Sequence, residues 1–444
     1  MARIFKPSKK TSIDAKHYEI NIERLDHQGA GIGYKQKKLV FVEGALPGER
    51  VLVQNVEQKS KFARARLIKV LSASESRVDP ICPHYHQCGG CNLQHLNAAE
   101  QVEMKQQSLT QQMQKFAQVS IAQDAPILSS EIGYRRRVRF SVRKDRKAGT
   151  IDFGFREKKS NRIVNVKQCP VLAEPLQLLI APIREALNNM SRAESVGHIE
   201  LTQTDSGLTL YLRVTQALTQ SDAALWEALC TQHSLTYYLH AGDQQAQRNL
   251  GPAPFYTLDT IELDFLPSDF IQVNAQVNKE MVAQALDWLA IHQQDNVLDL
   301  FCGMGNFSLP IAKQAHSVIG IEGVPDMVER ASDNATKNQL SNARFLHANL
   351  EEYRLDKNLT QFGIESGTMT KILLDPARAG AAEIVEQLPA LGVEKILYVS
   401  CNPTTLSRDS KVLLDNGYVL AKLGIMNMFP HTAHIESMAL FEKA

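Results

Sequence analysis

The stretch VLDLFCGMGNFSLPIA, residues 297–312, reads as a short apolar strand, a glycine turn and the start of a helix. Gly303 and Gly305 sit at the bend, where a residue without Cβ lets the backbone turn sharply and approach a ligand. The spacing is G-x-G-x-x-S, so the third glycine of the dinucleotide fingerprint is absent and a pyrophosphate is disfavoured. The next strand, SVIGIE, ends in Glu322, 19 residues after Gly303, where an acid accepts both hydroxyls of a ribose. Asn349 follows a third strand, ARFLHA. Together these features favour S-adenosylmethionine over a plain α/β turn with an exposed acid. KILLD and KILYVS add two more strands, and from about residue 269 onward the chain keeps the βαβ rhythm of a doubly wound sheet.

Ligands in such sheets lie at the carboxyl ends of the strands. Asp375 closes the fourth strand in KILLDPARAG, and Cys401 closes the fifth in ILYVSCNPTTLSRD. Glu436, in NMFPHTAHIESMALFEK, lies beside the last hairpin. Singly, a strand-end Cys is a small hydrophobe and a carboxylate is solvated. Jointly around one pocket, they point to chemistry. A pyrimidine C5 is too weak a nucleophile to take a methyl group unaided. A thiolate adding at C6 activates it, and a base must then remove the C5 proton. Cys401 fits the nucleophile, Glu436 the base, and Asp375 a partner for the polar edge of the base or for the cofactor.

Upstream, CPHYHQCGGC gives C-x5-C-x2-C through Cys82, Cys88 and Cys91, with Cys169 before Pro170 as the candidate fourth thiol. A Cys-Pro last ligand suits a ferredoxin-type four-iron cluster. Zinc competes, although its structural sites more often use two close ligand pairs, and reduced structural thiols are a third reading. A cluster that cleaves S-adenosylmethionine keeps one iron open, a position Cys169 would fill, so a cluster here is structural. His84, His86 and His95 read as surface residues.

The 444 residues suggest about three domains. With 44% hydrophobic and 22% charged residues the chain is an ordinary folded protein, which excludes disorder as its main state. No window approaches the roughly 18 apolar residues of a membrane helix, and no apolar region follows the basic start. A cytoplasmic location is expected. Residues 12–70 alternate as short strands with turn signals at Gly29, Gly31 and Gly33, an OB-type barrel. Residues 71–268 mix strands (RRRVRFSV, LTLYLRV) and helices (DAALWEALC) as an α+β domain, and 269–444 form the α/β domain. The Gln-rich stretch with Leu109, Met113 and Phe116 reads as a surface helix.

Charge is uneven. Residues 1–70 carry 15 Lys+Arg against 7 Asp+Glu, and residues 131–170 carry 13 against 4, leaving −16 for the other 334 residues. Two basic segments on an acidic chain suggest a nucleic-acid footprint, with plain solvated faces as the alternative. Arg135, Arg136, Arg137 and Arg139 are candidate phosphate contacts, although strand alternation assigns them to both faces.

These motifs resemble those of the bacterial 23S rRNA (uracil-5-)-methyltransferases of the iron–sulfur type with an N-terminal TRAM barrel. FIQVN, DLFCGMGNF, LLDPARAG, SCNPTTLSRD and HTAHIE, with the cysteine pattern, carry the resemblance over nearly the whole chain. It implies S-adenosylmethionine contacts from Gln272, Phe301, Asn306, Glu322, Asn349 and Asp375. It also implies Cys401 as nucleophile, Glu436 as base, and Cys82, Cys88, Cys91 and Cys169 on a [4Fe-4S] cluster. The implied partner is 23S rRNA. Base access favours a single-stranded loop with the target uridine flipped out. No DNA or membrane partner is expected, and a monomer is the default. A tRNA uracil-C5 methyltransferase is one alternative. Others are an N-methyltransferase on an exocyclic amine, which would leave Cys401 idle, and a non-catalytic RNA-binding assembly factor.

Overall fold

Apolar residues alternate at Ile20 and Ile22, Val40 and Val42, Val51 and Val53, and Ala63 and Ala65, so one side of each strand turns inward. Five strands close on that side: β1 His17–Leu25, β2 Gly31–Lys35, β3 Lys38–Glu43, β4 Arg50–Gln58 and β5 Phe62–Ser72. Their order β1-β2-β3-β5-β4 makes a closed barrel. Gly29 turns the chain, but Gly31 and Gly33 lie inside β2 and are not turn residues. A Cβ at Gly33 would sit 2.3 Å from the Asn21 carbonyl oxygen, so the neighbouring strand demands glycine.

The computed structural model describes residues 16–145, 149–350, 352, 354–355 and 368–444. The expected barrel start at residue 12, and the basic residues Arg146 and Lys147, lie outside them. The chain divides into two compact units. One gathers residues through Pro80 with Cys91–Ser108 and His431–Ala433; the other holds Ile81–Gly90, Leu109–Pro430 and His434–Ala444. No helix among the described residues is long and apolar enough to cross a membrane.

In the first unit Glu49 is fully buried and bonded by Arg77 through both carboxylate oxygens, and by the Leu46 and Ser74 amides. Burial alone would raise this carboxyl, but the Arg77 and amide bonds outweigh it and hold it below its ordinary value. Arg77→Leu strands a buried carboxylate and should cost the barrel about 3 kcal/mol. Faster amide exchange along β1–β5 is the readout. Because the folded-state value is depressed, the stabilisation is complete above the unfolded value of about 4.3 and fades as pH falls through the folded one. Arg77→Leu should remove that acid-sensitive component. His95 is buried in this unit, not exposed. Gln101 is also buried and donates to the carbonyls of Leu93 and Leu96 at 3.2 and 2.7 Å. The Gln-rich helix spans Ala98–Gln112. It is not a plain surface helix, since Leu109 and Met113, one turn apart, are fully buried.

The described residues of the second unit hold two seven-stranded sheets and a two-stranded hairpin. The first runs β12-β11-β10-β9-β6-β7-β8. Its strands are β6 Arg137–Lys144, β7 Ile151–Arg156, β8 Ile163–Asn165, β9 Val196–Thr204, β10 Gly207–Val214, β11 Leu235–Ala241 and β12 Gln247–Leu250. Val138, Phe140 and Val142 of β6 join a core that includes Ile183 and Leu187 of the helix Ile180–Asn189 and Trp226 of Gln220–Gln232. The alternate residues Arg137 and Arg139 face Thr202 and Glu200 across the β6–β9 pair.

A hairpin, β13 Phe255–Leu258 and β14 Ile261–Asp264, leads to the second sheet. That sheet contains β15 Asn296–Leu300, β16 Ser317–Glu322, β17 Ala343–His347, β18 Lys371–Leu374, β19 Lys395–Ser400, β20 Tyr418–Met426 and β21 Glu436–Lys443. The order is β17-β16-β15-β18-β19-β21-β20, parallel through β19 and antiparallel for the last two. The strand order reverses between β15 and β18, the crevice where doubly wound sheets bind ligands.

Candidate active site

Parallel register carries the candidate residues to one edge. Leu300 pairs with Ile321 and Leu374, so Phe301, Glu322 and Asp375 emerge side by side from β15, β16 and β18. Leu374 in turn pairs with Tyr398 of β19, two residues before the strand end at Ser400. The antiparallel pair β19–β21 sets Ser400 opposite Ser437. Continued by one residue, that register sets Cys401 opposite Glu436.

The turn after β15 is shaped for close approach. Phe301 takes a left-handed φ of 65°, rare for a bulky side chain, and its N–H donates to Ile321 O at 2.9 Å. Gly303 N–H donates to Glu322 Oε2 and Val324 N–H to Oε1, both at 3.0 Å. The acid is thereby fixed by two amides, and each oxygen keeps a lone pair for a hydroxyl. Gly305 has φ +97°, and a Cβ there would lie 2.9 Å from Leu309 Cγ. Gly305→Ala should therefore distort the turn, raising the dissociation constant for S-adenosylhomocysteine by about five- to 150-fold by calorimetry, as about 1–3 kcal/mol of strain requires.

Asn306 is already engaged. Its carboxamide exchanges two 3.0 Å hydrogen bonds with Asn278, and its Oδ1 also accepts the Tyr256 hydroxyl at 2.9 Å. Gln272 presents its carbonyl to Arg136. Asn349 is exposed two residues after β17.

Asp299, inside β15, is fully buried, takes the Ser308 hydroxyl on Oδ2 and has no partner for Oδ1. Burial, reinforced by Asp375 and Glu322, pushes it up to about 7. Burial does the same to Asp375, up to about 7. Near neutrality Asp375 is thus divided between an acid that donates and a carboxylate that accepts. The Cys401 thiol is pushed up to about 11, first by burial, then by Glu436 and Asp375, with Arg378 pulling the other way. Arg378 itself donates to His434 Nε2 at 3.2 Å.

Asn402 caps the helix Pro403–Asp415, accepting from Thr404 N–H, and donates to the Arg378 carbonyl at 3.0 Å. Buried Asp409 accepts the Tyr398 hydroxyl at 2.7 Å and the Ala381 amide at 2.9 Å. The loop after Asp375 is therefore laced to the helix after Cys401, which gives both motifs a shared structural reason.

Elsewhere in this unit, Gly89 N–H donates to Arg156 O at 2.9 Å and Lys158 N–H to Gln87 O at 2.9 Å, docking the cysteine loop on the end of β7. Gly90 N–H points at Cys88 Sγ, 3.4 Å away. Burial raises the Cys88 thiol, and Cys82 raises it further. His84 is half-buried and accepts the Lys167 amide at 3.1 Å. Among the described residues no three His, Cys, Asp or Glu side chains are gathered as ligands of one metal ion. Of the arginine run, Arg137 binds the carbonyls of Pro267 and Asp269, and Arg137 and Arg139 both pair with Glu200. Arg137 is thereby held internally, whereas the Arg139 side chain, although paired, stays 61% exposed.

Two family models match the chain: a TRAM domain over residues 15–68 and a tRNA (Uracil-5-)-methyltransferase over residues 259–444. Over its full length the chain is 51% identical to the 23S rRNA (uracil(1939)-C(5))-methyltransferase RlmD of Vibrio parahaemolyticus, with all of both chains covered. The chain belongs to the RlmD family. The RlmD protein of Vibrio cholerae is likewise 51% identical, over 443 residues and all of both chains. The crystal structure of Pyrococcus abyssi tRNA (uracil-54, C5)-methyltransferase with S-adenosyl-L-homocysteine has a TM-score of 0.75 at 23% identity. It covers 96% of this chain and 100% of that one, which establishes the shared fold. The N-terminal part of this RlmD-family chain is thus a TRAM barrel and its C-terminal part a methyltransferase fold. The sequence patterns do not single out Tyr256 and Asn278, which both bond Asn306, and they offer Arg136 only as a phosphate contact; Asn278, one turn into a helix opened by FIQVN, was the detectable one.

Proposed function

We propose that this chain transfers a methyl group from S-adenosylmethionine to C5 of a uridine in 23S rRNA through a covalent Cys401–C6 adduct. The observation that supports the reading is the β19–β21 register, which, continued one residue past Ser400 and Ser437, sets Cys401 opposite Glu436. Glu322, Gly303 and Gly305 fit a nucleoside, since two amides fix the acid and both glycines take left-handed φ angles that turn the backbone sharply beside it. Gln272, Phe301, Asn306, Glu322, Asn349 and Asp375 would hold the cofactor, which supplies an electrophilic methyl group.

In this mechanism the Cys401 thiolate bonds to C6, and the C5=C6 π electrons move to give an enolate. C5 then takes the methyl group, leaving S-adenosylhomocysteine. Glu436 accepts the C5 proton, the double bond re-forms, and the C6–S bond breaks to return the thiolate. Asp375 binds the polar edge of the uracil. The base must leave its stack to reach Cys401, so a single-stranded loop is the substrate form, bound by a monomer in the cytoplasm.

Cys82, Cys88, Cys91 and Cys169 would hold a [4Fe-4S] cluster. Four partly buried thiols are a soft donor set, and the Gly90 amide aimed at Cys88 sulfur is the kind of bond that stabilises a cluster thiolate. No catalytic step passes through the cluster. The domains fall at 12–70, 71–268 and 269–444.

The test is incubation with S-adenosylmethionine and either 23S rRNA or tRNA transcripts tritiated at uracil C5. Tritium released from 23S rRNA alone supports the proposal. Release from tRNA moves the substrate, and methylation without release favours an exocyclic amine.

A further inference from the structure

We propose that Arg136, read from sequence as a phosphate contact, is instead a positioning residue for the cofactor cradle. The inference rests on Gln272 and Asn306 meeting S-adenosylmethionine. Arg136 lies just before β6, with only 8% of the residue exposed. Its main chain bridges two segments: the N–H donates to Val273 O at 2.8 Å, and the carbonyl accepts Gln203 N–H at 2.7 Å. Its side chain then reaches the cradle twice. Nε donates to Gln272 O at 2.9 Å, fixing the backbone that carries this side chain. The guanidinium also lies 4.5 Å over the Tyr256 ring, whose hydroxyl donates to Asn306 Oδ1.

One cation therefore holds two cradle residues that are 34 positions apart in the chain. The arrangement needs the planar guanidinium, which donates in its plane while stacking on a ring with its face. A lysine ammonium is a point charge without that plane and face, so it cannot make both contacts in this geometry. Arg136 Nη2 is buried without a hydrogen-bond partner. Burying a cation with an unused donor is unfavourable, so stability alone is a poor reason to place arginine here. Burial keeps the Tyr256 hydroxyl protonated and hence a donor, against a smaller opposite pull from Arg136. Enclosure also removes this guanidinium from any phosphate.

The experiment compares the full-length protein with Arg136→Lys, Tyr256→Phe, Gln272→Ala and Asn306→Ala. Binding of S-adenosylhomocysteine is measured by calorimetry below each melting transition, with KM for each substrate and kcat. Arg136→Lys should raise the dissociation constant about tenfold, the size of one charge-assisted hydrogen bond. KM for S-adenosylmethionine should rise in parallel, while KM for RNA and kcat at saturating cofactor stay near wild type. Tyr256→Phe should weaken binding a few-fold. If Arg136→Lys binds normally while Gln272→Ala and Asn306→Ala lose affinity, the positioning role is overturned and the cofactor site stands. If Gln272→Ala and Asn306→Ala also bind normally, the assignment of the cofactor site itself falls. Should Arg136→Lys fail to melt cooperatively, Tyr256→Phe decides: normal affinity overturns the proposal, and weakened affinity supports it.

Discussion

Cys401→Ala is expected to reduce tritium release from uracil C5 by on the order of 10⁴-fold or more, because removing a nucleophile removes the whole covalent route. Binding of S-adenosylhomocysteine should stay within about twofold, since Asn402 still caps its helix and ties the Arg378 loop. The thiol's chemistry gives a second readout. Burial, Glu436 and Asp375 push it up to about 11, so in the free protein only about one molecule in 10⁴ carries the thiolate at pH 7. The thiolate is the charged, deprotonated form, so raising pH towards 11 populates it. Iodoacetamide labelling of Cys401, counted against Cys401→Ala, should rise about tenfold per pH unit between 7 and 10. Removing a neighbouring negative charge lowers the thiol's value and speeds labelling at pH 8; removing Arg378 slows it. Labelling that is flat from pH 7 to 9 would show that burial does not hold the thiol, and unchanged tritium release would end the nucleophile assignment.

The features legible in sequence are those set within a few residues. The apolar runs of β15, β16, β18 and β19, and the glycine turn between β15 and its helix, are local patterns, and they place Glu322, Asp375 and Cys401 at strand ends by simple periodicity. The alternation of the barrel is local in the same way. Supports made across long separations left no such trace. Tyr256 lies 50 residues from Asn306, and Arg136 lies 136 from Gln272. The arginine run shows why charge counting alone fell short. Counting sees four cations, whereas the fold supplies Glu200 and several buried carbonyls as partners. Gly31 and Gly33 read as turns because sequence cannot see the neighbouring strand that excludes their side chains. With the cysteines, donor type is readable in the sequence and proximity is not, because Cys169 lies 78 residues after Cys91, beyond β8.

Glu436→Gln should stall the reaction after the methyl group has moved. The carboxamide is nearly the same size and leaves the strand pairing in place, including the 3.2 Å bond from Ser437 Oγ to Ser400 O. Cys401 can still add to C6 and C5 can still take the methyl group, but nothing accepts the C5 proton. The C6–S bond therefore persists. The predicted result is a protein–RNA adduct that survives denaturing electrophoresis and carries one labelled methyl group, with tritium retained at C5. Turnover should fall by about 10² to 10⁴-fold, the usual contribution of a positioned base. The two variants separate the two halves of the reaction, since Cys401→Ala forms no adduct and Glu436→Gln accumulates one. If Glu436→Gln turns over normally, another group removes the proton. If it forms no adduct although Cys401 is labelled by iodoacetamide as readily as predicted, then Glu436 acts before the methyl group moves, and the order of roles assigned to the pair must be reversed.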